Sequence, residues 1–237
     1  MKAKLFILIA VCLTLVGCIY NTKRINGNGN ITSKELILEP FNKIKADANF
    51  DINVFKGDTD KIIVTIDENL QQYISASVAN NVLNLDYTDH ISLRHTRFVV
   101  DVYMKELSAI DISGAAQVKL ADVAVSPAFD ISISGAGKMD GAIRTDKLKI
   151  RANGACDLDL QGKATTAYYD ISGAANIDCR KLNTDSVYAN AVGAVNIELL
   201  VNSFLDAKAS GAGTIEYSGN PFVQKDVSGA GRVVRKR

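Results

Sequence analysis

From Glu35 to Leu107 apolar and polar residues alternate in short runs: "ANFDINVF", "KIIVTI", "YISASV", "VLNLDY" and "RFVVDVYM". A period of two puts one face of each run in a core and the other in water, which predicts β-strands. "FKGDTDK", between two of these runs, has the composition of a hairpin turn. No window sustains a helical period, and only "DENLQQYI" (67–74) predicts a turn or two of helix.

Beyond residue 110 the alternation is locked to glycine, and 13 of the 17 glycines lie there. Gly114, Gly135, Gly154, Gly173, Gly193, Gly211 and Gly229 follow one another at intervals of 21, 19, 19, 20, 18 and 18 residues. The next residue is alanine in every unit, from Ala115 to Ala230. Three positions after the glycine the residue is always polar. Four positions after it stand Val118, Met139, Leu158, Ile177, Ile197, Ile215 and Val233, all apolar. Seven units of 18–21 residues form a repeat array. Each unit has room for two strands of about six residues and two turns, and stacking would set equivalent positions about 4.8 Å apart. The predicted fold is therefore all-β, a parallel β-solenoid built as a flattened helix of two sheets. Glycine and alanine at fixed places are what tight, stacked corners require.

Composition adds little to this until the N-terminus is considered. The chain of 237 residues is 47% hydrophobic and 22% charged, with 27 Lys and Arg against 26 Asp and Glu. That balance gives no basic field for nucleic acid. "MKAKLFILIAVCLTLVGC" places Lys2 and Lys4 before an apolar run from Leu5 to Val16. Such a run is short of the about 20 residues that span a bilayer, and fits the hydrophobic region of an export signal over residues 1–17. Leu15-Val16-Gly17-Cys18 resembles a bacterial lipobox, which predicts lipidation of Cys18 and a membrane partner through that lipid. The polar, Asn/Gly-rich residues 18–34 read as a flexible tether, ahead of one domain over 35–237 with less regular strands at 35–107 and Gly-Ala repeats at 108–237. The expected location is the cell envelope, anchored to the outer membrane. No acidic run follows Cys18, and the facing of the domain stays open.

Export also bears on the cysteines, since only Cys156 and Cys179 remain beyond Cys18. The register points both inward but offsets them by four positions, roughly 13 Å at about 3.3 Å per residue. A disulfide needs Cα atoms within about 7 Å, so two free, buried thiols are predicted.

Candidate chemistry is sparse. "SGAGKMDG" (134–141) lacks the spacing of a phosphate loop and the strand-to-helix context that such a loop needs. There is no G-x-S-x-G elbow, and His90 and His95, in a polar connection between strands, are the only histidines. One column stands out: five positions after the glycine, consecutive units carry Asp140, Asp159, Asp178, Glu198 and Glu216. Neighbouring like charges at about 4.8 Å cost on the order of 0.9 kcal/mol per pair in water. Basic neighbours such as Lys138 would offset this. The stripe is a candidate site for a weakly bound divalent cation such as Ca²⁺, or for a cationic partner. The carboxylates provide neither the cleft nor the unequal environments that glycoside hydrolysis needs, so no enzyme and no other cofactor are predicted. "GRVVRKR" (231–237) gathers charge at the last rung, a stop against strand pairing, although an open end would instead support a homo-oligomer.

The tandem "SGAA" and "SGAG" turns, the preceding "EPFNKIKADANFDINVFKGD" and the lipobox together resemble the head GIN domain family of auto-transporter adhesins, over about residues 35–237. The resemblance implies a right-handed, pectin lyase-like β-solenoid, lipoprotein export in Bacteroidetes-type bacteria and an adhesive role. It offers no catalytic motif. The units "ANGAC" and "AVGAV" replace the serine of the turn, which favours a structural role for the motif. The function expected is a non-enzymatic envelope lipoprotein that binds a protein or glycan ligand. The alternatives are a polysaccharide-binding or polysaccharide-processing protein, or an envelope scaffold.

Overall fold

The computed structural model describes residues 23–88 and 91–236. The export signal, Cys18 and His90 lie outside the described residues. Alternation becomes strands along nearly the whole chain. They are β1 (Lys23–Asn26), β2 (Ile31–Ile37), β3 (Lys43–Ala46), β4 (Asp51–Lys56), β5 (Lys61–Asp67), β6 (Ile74–Ala79), β7 (Val82–Tyr87), β8 (Ile91–Arg94) and β9 (Phe98–Met104) in the first half. The second half has β10 (Ala109–Ile112), β11 (Ala115–Leu120), β12 (Ala124–Val125), β13 (Ala128–Ile133), β14 (Ala136–Gly211), β15 (Thr214–Ser218), β16 (Phe222–Val227) and β17 (Arg232–Arg235). β14 is a 76-residue extended run that passes through several units without a break. The expected helical turn is a 3-10 helix, Glu68–Tyr73.

From β10 onward strands pair in parallel, one repeat apart, as the glycine register requires. Val118 faces Met139, Ile131 faces Ile150, Ile197 faces Ile215 and Ile215 faces Val233. The first half extends the same column, since Val118 also faces Ile52, and Ile52 faces Val100. All seven apolar residues four places after the glycines are buried, inside one continuous core cluster. Each fully buried Ile or Leu contributes roughly 1.5–3 kcal/mol.

The sheet is mixed, which departs from the all-parallel array expected. β2 with β5, β5 with β9, and β6 with β7 are antiparallel pairs, all in the first half. β6 and β7 form a tight hairpin because Asn80 and Asn81 both take positive φ, 53° and 62°, as a type I′ turn demands. "FKGDTDK" is not a hairpin turn: β4 and β5 do not pair, and β9 lies between them. The first regular unit also carries a third strand, β12, beyond the two expected, paired with Ile143 and Arg144.

The two ends differ. At the first, the 3-10 helix packs across β2, β5 and β6 and drives Leu70 fully into the core. The stretch expected to be a tether carries β1, which pairs with β8, and the start of β2. Asp67 pins this region: its buried carboxylate accepts bonds from the Gly29 N–H (2.8 Å), the Thr96 N–H (2.8 Å) and the Thr96 hydroxyl (3.0 Å). At the other end, β16 and β17 each pair with one strand among the described residues. Phe222, Val227 and Val234 are exposed there.

Candidate functional site

The repeated corner is built from backbone. The N–H of Ala136 bonds to the carbonyl of Gly114 at 3.0 Å, and that of Ala155 bonds to Gly135 at 3.0 Å. These bonds draw successive corners together so closely that a Cβ on Gly135 would sit 2.1 Å from the Gly114 oxygen. At Gly173 the same approach, 2.5 Å to the Gly154 oxygen, is joined by a φ of +110° that disfavours any side chain. Positive φ is absent at Gly114 and Gly135, so close approach rather than φ is the common requirement. The hydroxyls of Ser134 and Ser172 make long contacts, 3.5 Å from Ser134 to the Ile112 carbonyl, and 3.5 and 3.3 Å from Ser172 to the Ala152 carbonyl and the Asn153 side-chain oxygen. Ser113 differs in bonding the Asp47 carboxylate. Among the described residues the one histidine, His95, lies edge-on to Phe98.

The acidic column is neutralised in part, three of its five carboxylates meeting a basic side chain. Arg180 holds Asp178 through two bonds, at 2.9 and 2.5 Å, and reaches Glu198 at 3.4 Å. Lys236 takes Glu198 at 2.6 Å and Glu216 at 3.3 Å. The hydrogen bonds from Arg180 hold the Asp178 carboxyl below its ordinary range despite partial burial. The Lys236 ammonium is raised, chiefly by its bond to Glu198. The compensation comes from Arg180 and Lys236; Lys138 pairs instead with Asp157 in the neighbouring column, at 3.6 Å. Asp140 and Asp159 are in no ion pair among the described residues. Among those residues no three His, Cys, Asp or Glu side chains gather in a way that would hold a metal ion. The column is thus a charge ladder in which Arg and Lys interleave with carboxylates over its last three rungs.

Both cysteines are free and buried. Burial pushes the Cys156 thiol up to about 11 and the Cys179 thiol up to about 12, so neither is a ready nucleophile. Tyr169 is enclosed beside Cys179 with its hydroxyl in no well-formed hydrogen bond. Burial raises its phenol well above the usual range.

A different face carries an arrangement that the forward reading from each glycine missed. Tyr168 and Tyr188 each stand five places before a corner glycine. Their rings stack at 5.0 Å between centroids and 8° between planes. Phe204 continues the row at 5.6 Å from Tyr188, and Phe222 lies 6.3 Å beyond it. The Lys147 ammonium lies 5.4 Å from the centre of the Tyr168 ring. Beside the tyrosines runs a groove of about 440 Å³, edged by Lys149, Arg151, Asp206 and Lys208. On its polar wall the Asn190 amide donates to Asp170 at 3.0 Å. Counting backward from the glycines would have aligned Lys149, Tyr168, Tyr188 and Asp206 in one column. Phe204 and Phe222 stand two places further back, in register with each other, and the row continues from Tyr188 to Phe204 across that offset.

The model of a family described as "Putative auto-transporter adhesin, head GIN domain" matches residues 40–221. Among solved structures, the chain is similar to a putative adhesin from Bacteroides fragilis, with 22% identity, a TM-score of 0.85, and coverage of 90% of this chain and 100% of that one. A putative adhesin from Parabacteroides merdae gives 24% identity and a TM-score of 0.71 over 91% of this chain and 100% of that one. A structure titled a putative lipid binding protein from Parabacteroides distasonis gives 22% and 0.73 over 91% and 100%. At these identities the likeness concerns the fold. Comparison with curated proteins gives no match.

Proposed function

Taking as premise that the chain belongs to the head GIN domain family, we propose that it is a non-enzymatic binding module of the cell envelope. It would be held at the outer membrane by lipid on Cys18 and would act in adhesion. The architecture is read as a right-handed, pectin lyase-like parallel β-solenoid, supported by the one-repeat parallel pairing from β10 to β17. The observation that carries the functional reading is the alignment of outward side chains into long columns, aromatic on one face and charged on another. Stacked repeats present such faces for recognition. Among the described residues no corner hydroxyl is hydrogen-bonded to a histidine, and Ser113 alone meets a carboxylate, that of Asp47.

Beads coated with the chain test this directly. Adhesion to bacterial or epithelial cells should be saturable and should be competed away by soluble chain. Beads that adhere no better than albumin-coated ones would contradict the reading.

A further inference from the structure

The two charged faces are satisfied in opposite ways. On the acidic column Arg180 and Lys236 are committed to carboxylates. On the aromatic face Lys149, Arg151 and Lys208 edge the groove and enter no ion pair among the described residues. Lys147 adds a fourth cation at the head of the ring row. Against these stand Asp170 and Asp206, so the groove is locally cationic in a chain whose overall charge is only +1.

Aromatic surface is also left in water here. Tyr188 is 39% exposed and Phe222 67%, in a continuous row rather than singly. Contiguous apolar surface of that kind marks an interaction site more often than scattered residues do. The groove volume of about 440 Å³ lies within the range of sites that take small ligands or a few units of a polymer. Both walls run across successive turns of the stack, which suits a chain ligand that also repeats.

We propose that this groove binds an acidic polysaccharide, with sugar rings packed against Tyr168 and Tyr188 and with carboxylates or other anionic groups met by Lys149, Arg151 and Lys208. The inference rests on the binding-module reading above and names its ligand class. A pyranose offers an apolar face to an aromatic wall and hydroxyls to a polar one. Asp170, Asn190 and Asp206 supply acceptors for those hydroxyls, and Asn190 also supplies a donor. The same two carboxylates disfavour DNA, which brings a phosphate charge at each step and no sugar hydroxyl donor there to meet them.

Electrophoresis of the full chain through native gels containing polygalacturonate, neutral dextran or no polymer is the test. Polygalacturonate should retard the chain and dextran should not, and added salt should weaken the retardation as charges are screened. Tyr168→Ala with Tyr188→Ala, and separately Lys149→Gln with Arg151→Gln and Lys208→Gln, should each weaken apparent affinity about tenfold or more. Gln117→Ala, on another face, should not. The cationic variant alters exposed side chains only and carries the test if loss of the tyrosines unfolds the chain, as unfolding curves would reveal. Absence of retardation, equal retardation by dextran, unchanged affinity in the folded variants, or displacement by a single-stranded oligonucleotide at equal concentration would each overturn the proposal. Beads that still adhere to cells while gels show no retardation would overturn the ligand class and leave the binding module standing. Failure of both assays would overturn both.

Discussion

Asp67 and Tyr169 show how differently a buried polar group is accommodated in this chain. Asp67 is fully buried and accepts three bonds from Gly29 and Thr96. These bonds, the Thr96 N–H foremost, hold its carboxyl below the ordinary range. A carboxyl depressed in the folded state stabilises above its unfolded value, about pH 4, and that contribution is lost as pH falls through the folded value. Asp67→Asn should cost about 2 kcal/mol at neutral pH, since donors are left poorly met. Below pH 4 its unfolding curve should approach that of the parent chain. Thermal unfolding from pH 7 to pH 3 measures both effects, and parallel curves for the two chains would contradict them. Tyr169, by contrast, buries a hydroxyl without a well-formed bond. Tyr169→Phe removes that desolvated group and keeps the ring, so stability should be unchanged or higher by up to about 1 kcal/mol. A loss of more than about 1 kcal/mol in denaturant titration would mean that the hydroxyl is bonded, with Cys179 as the partner.

At the level of elements, local pattern and non-local order separate cleanly. The strands of the second half, their register and the inward residues were legible because every unit repeats one glycine-anchored alternation, and Val118 through Val233 are buried as that register requires. The order of β2, β5, β9 and β4 was not legible. A turn-like "FKGDTDK" specifies a change of direction but not that β9, more than thirty residues later, will occupy the place beside β4. The tether reading stopped short at Lys23 because a polar stretch can still form edge strands when a buried carboxylate such as Asp67 gathers its backbone. For the acidic column, position was readable and compensation was not. Arg180 lies two residues from Asp178, whereas Lys236 arrives from the end of the chain. Arg180→Gln should lower the melting temperature in 0.01 M salt, where the Debye length is about 30 Å. The deficit should shrink at about 1 M, where screening falls to about 3 Å. A deficit independent of salt would assign Arg180 a packing role instead.

Taken whole, the molecule is a stack with a closed end and an open one. Leu70 and the antiparallel strands cover the first end. β16 and β17 leave edges unpaired among the described residues at the second, beside Arg232, Arg235 and Lys236. A lipid on Cys18 would place the covered end toward the membrane and the long faces outward from it. Cells fed labelled palmitate should incorporate label into the chain and lose it with Cys18→Ala; label retained in that variant would remove the anchor. The claim on which the rest depends is that the Gly-Ala corners are architecture and not a site of chemistry. Thermal unfolding of two variants tests it most directly. Ser134, Ser172, Ser210 and Ser228 changed together to alanine should leave the melting temperature within a few degrees of the parent, since the hydroxyls of Ser134 and Ser172 make only long contacts of 3.3–3.5 Å. Gly173→Ala alone, forced against the Gly154 oxygen, should cost about 3 kcal/mol or more. The reverse order, with the serine variant collapsing and Gly173→Ala tolerated, would contradict the account.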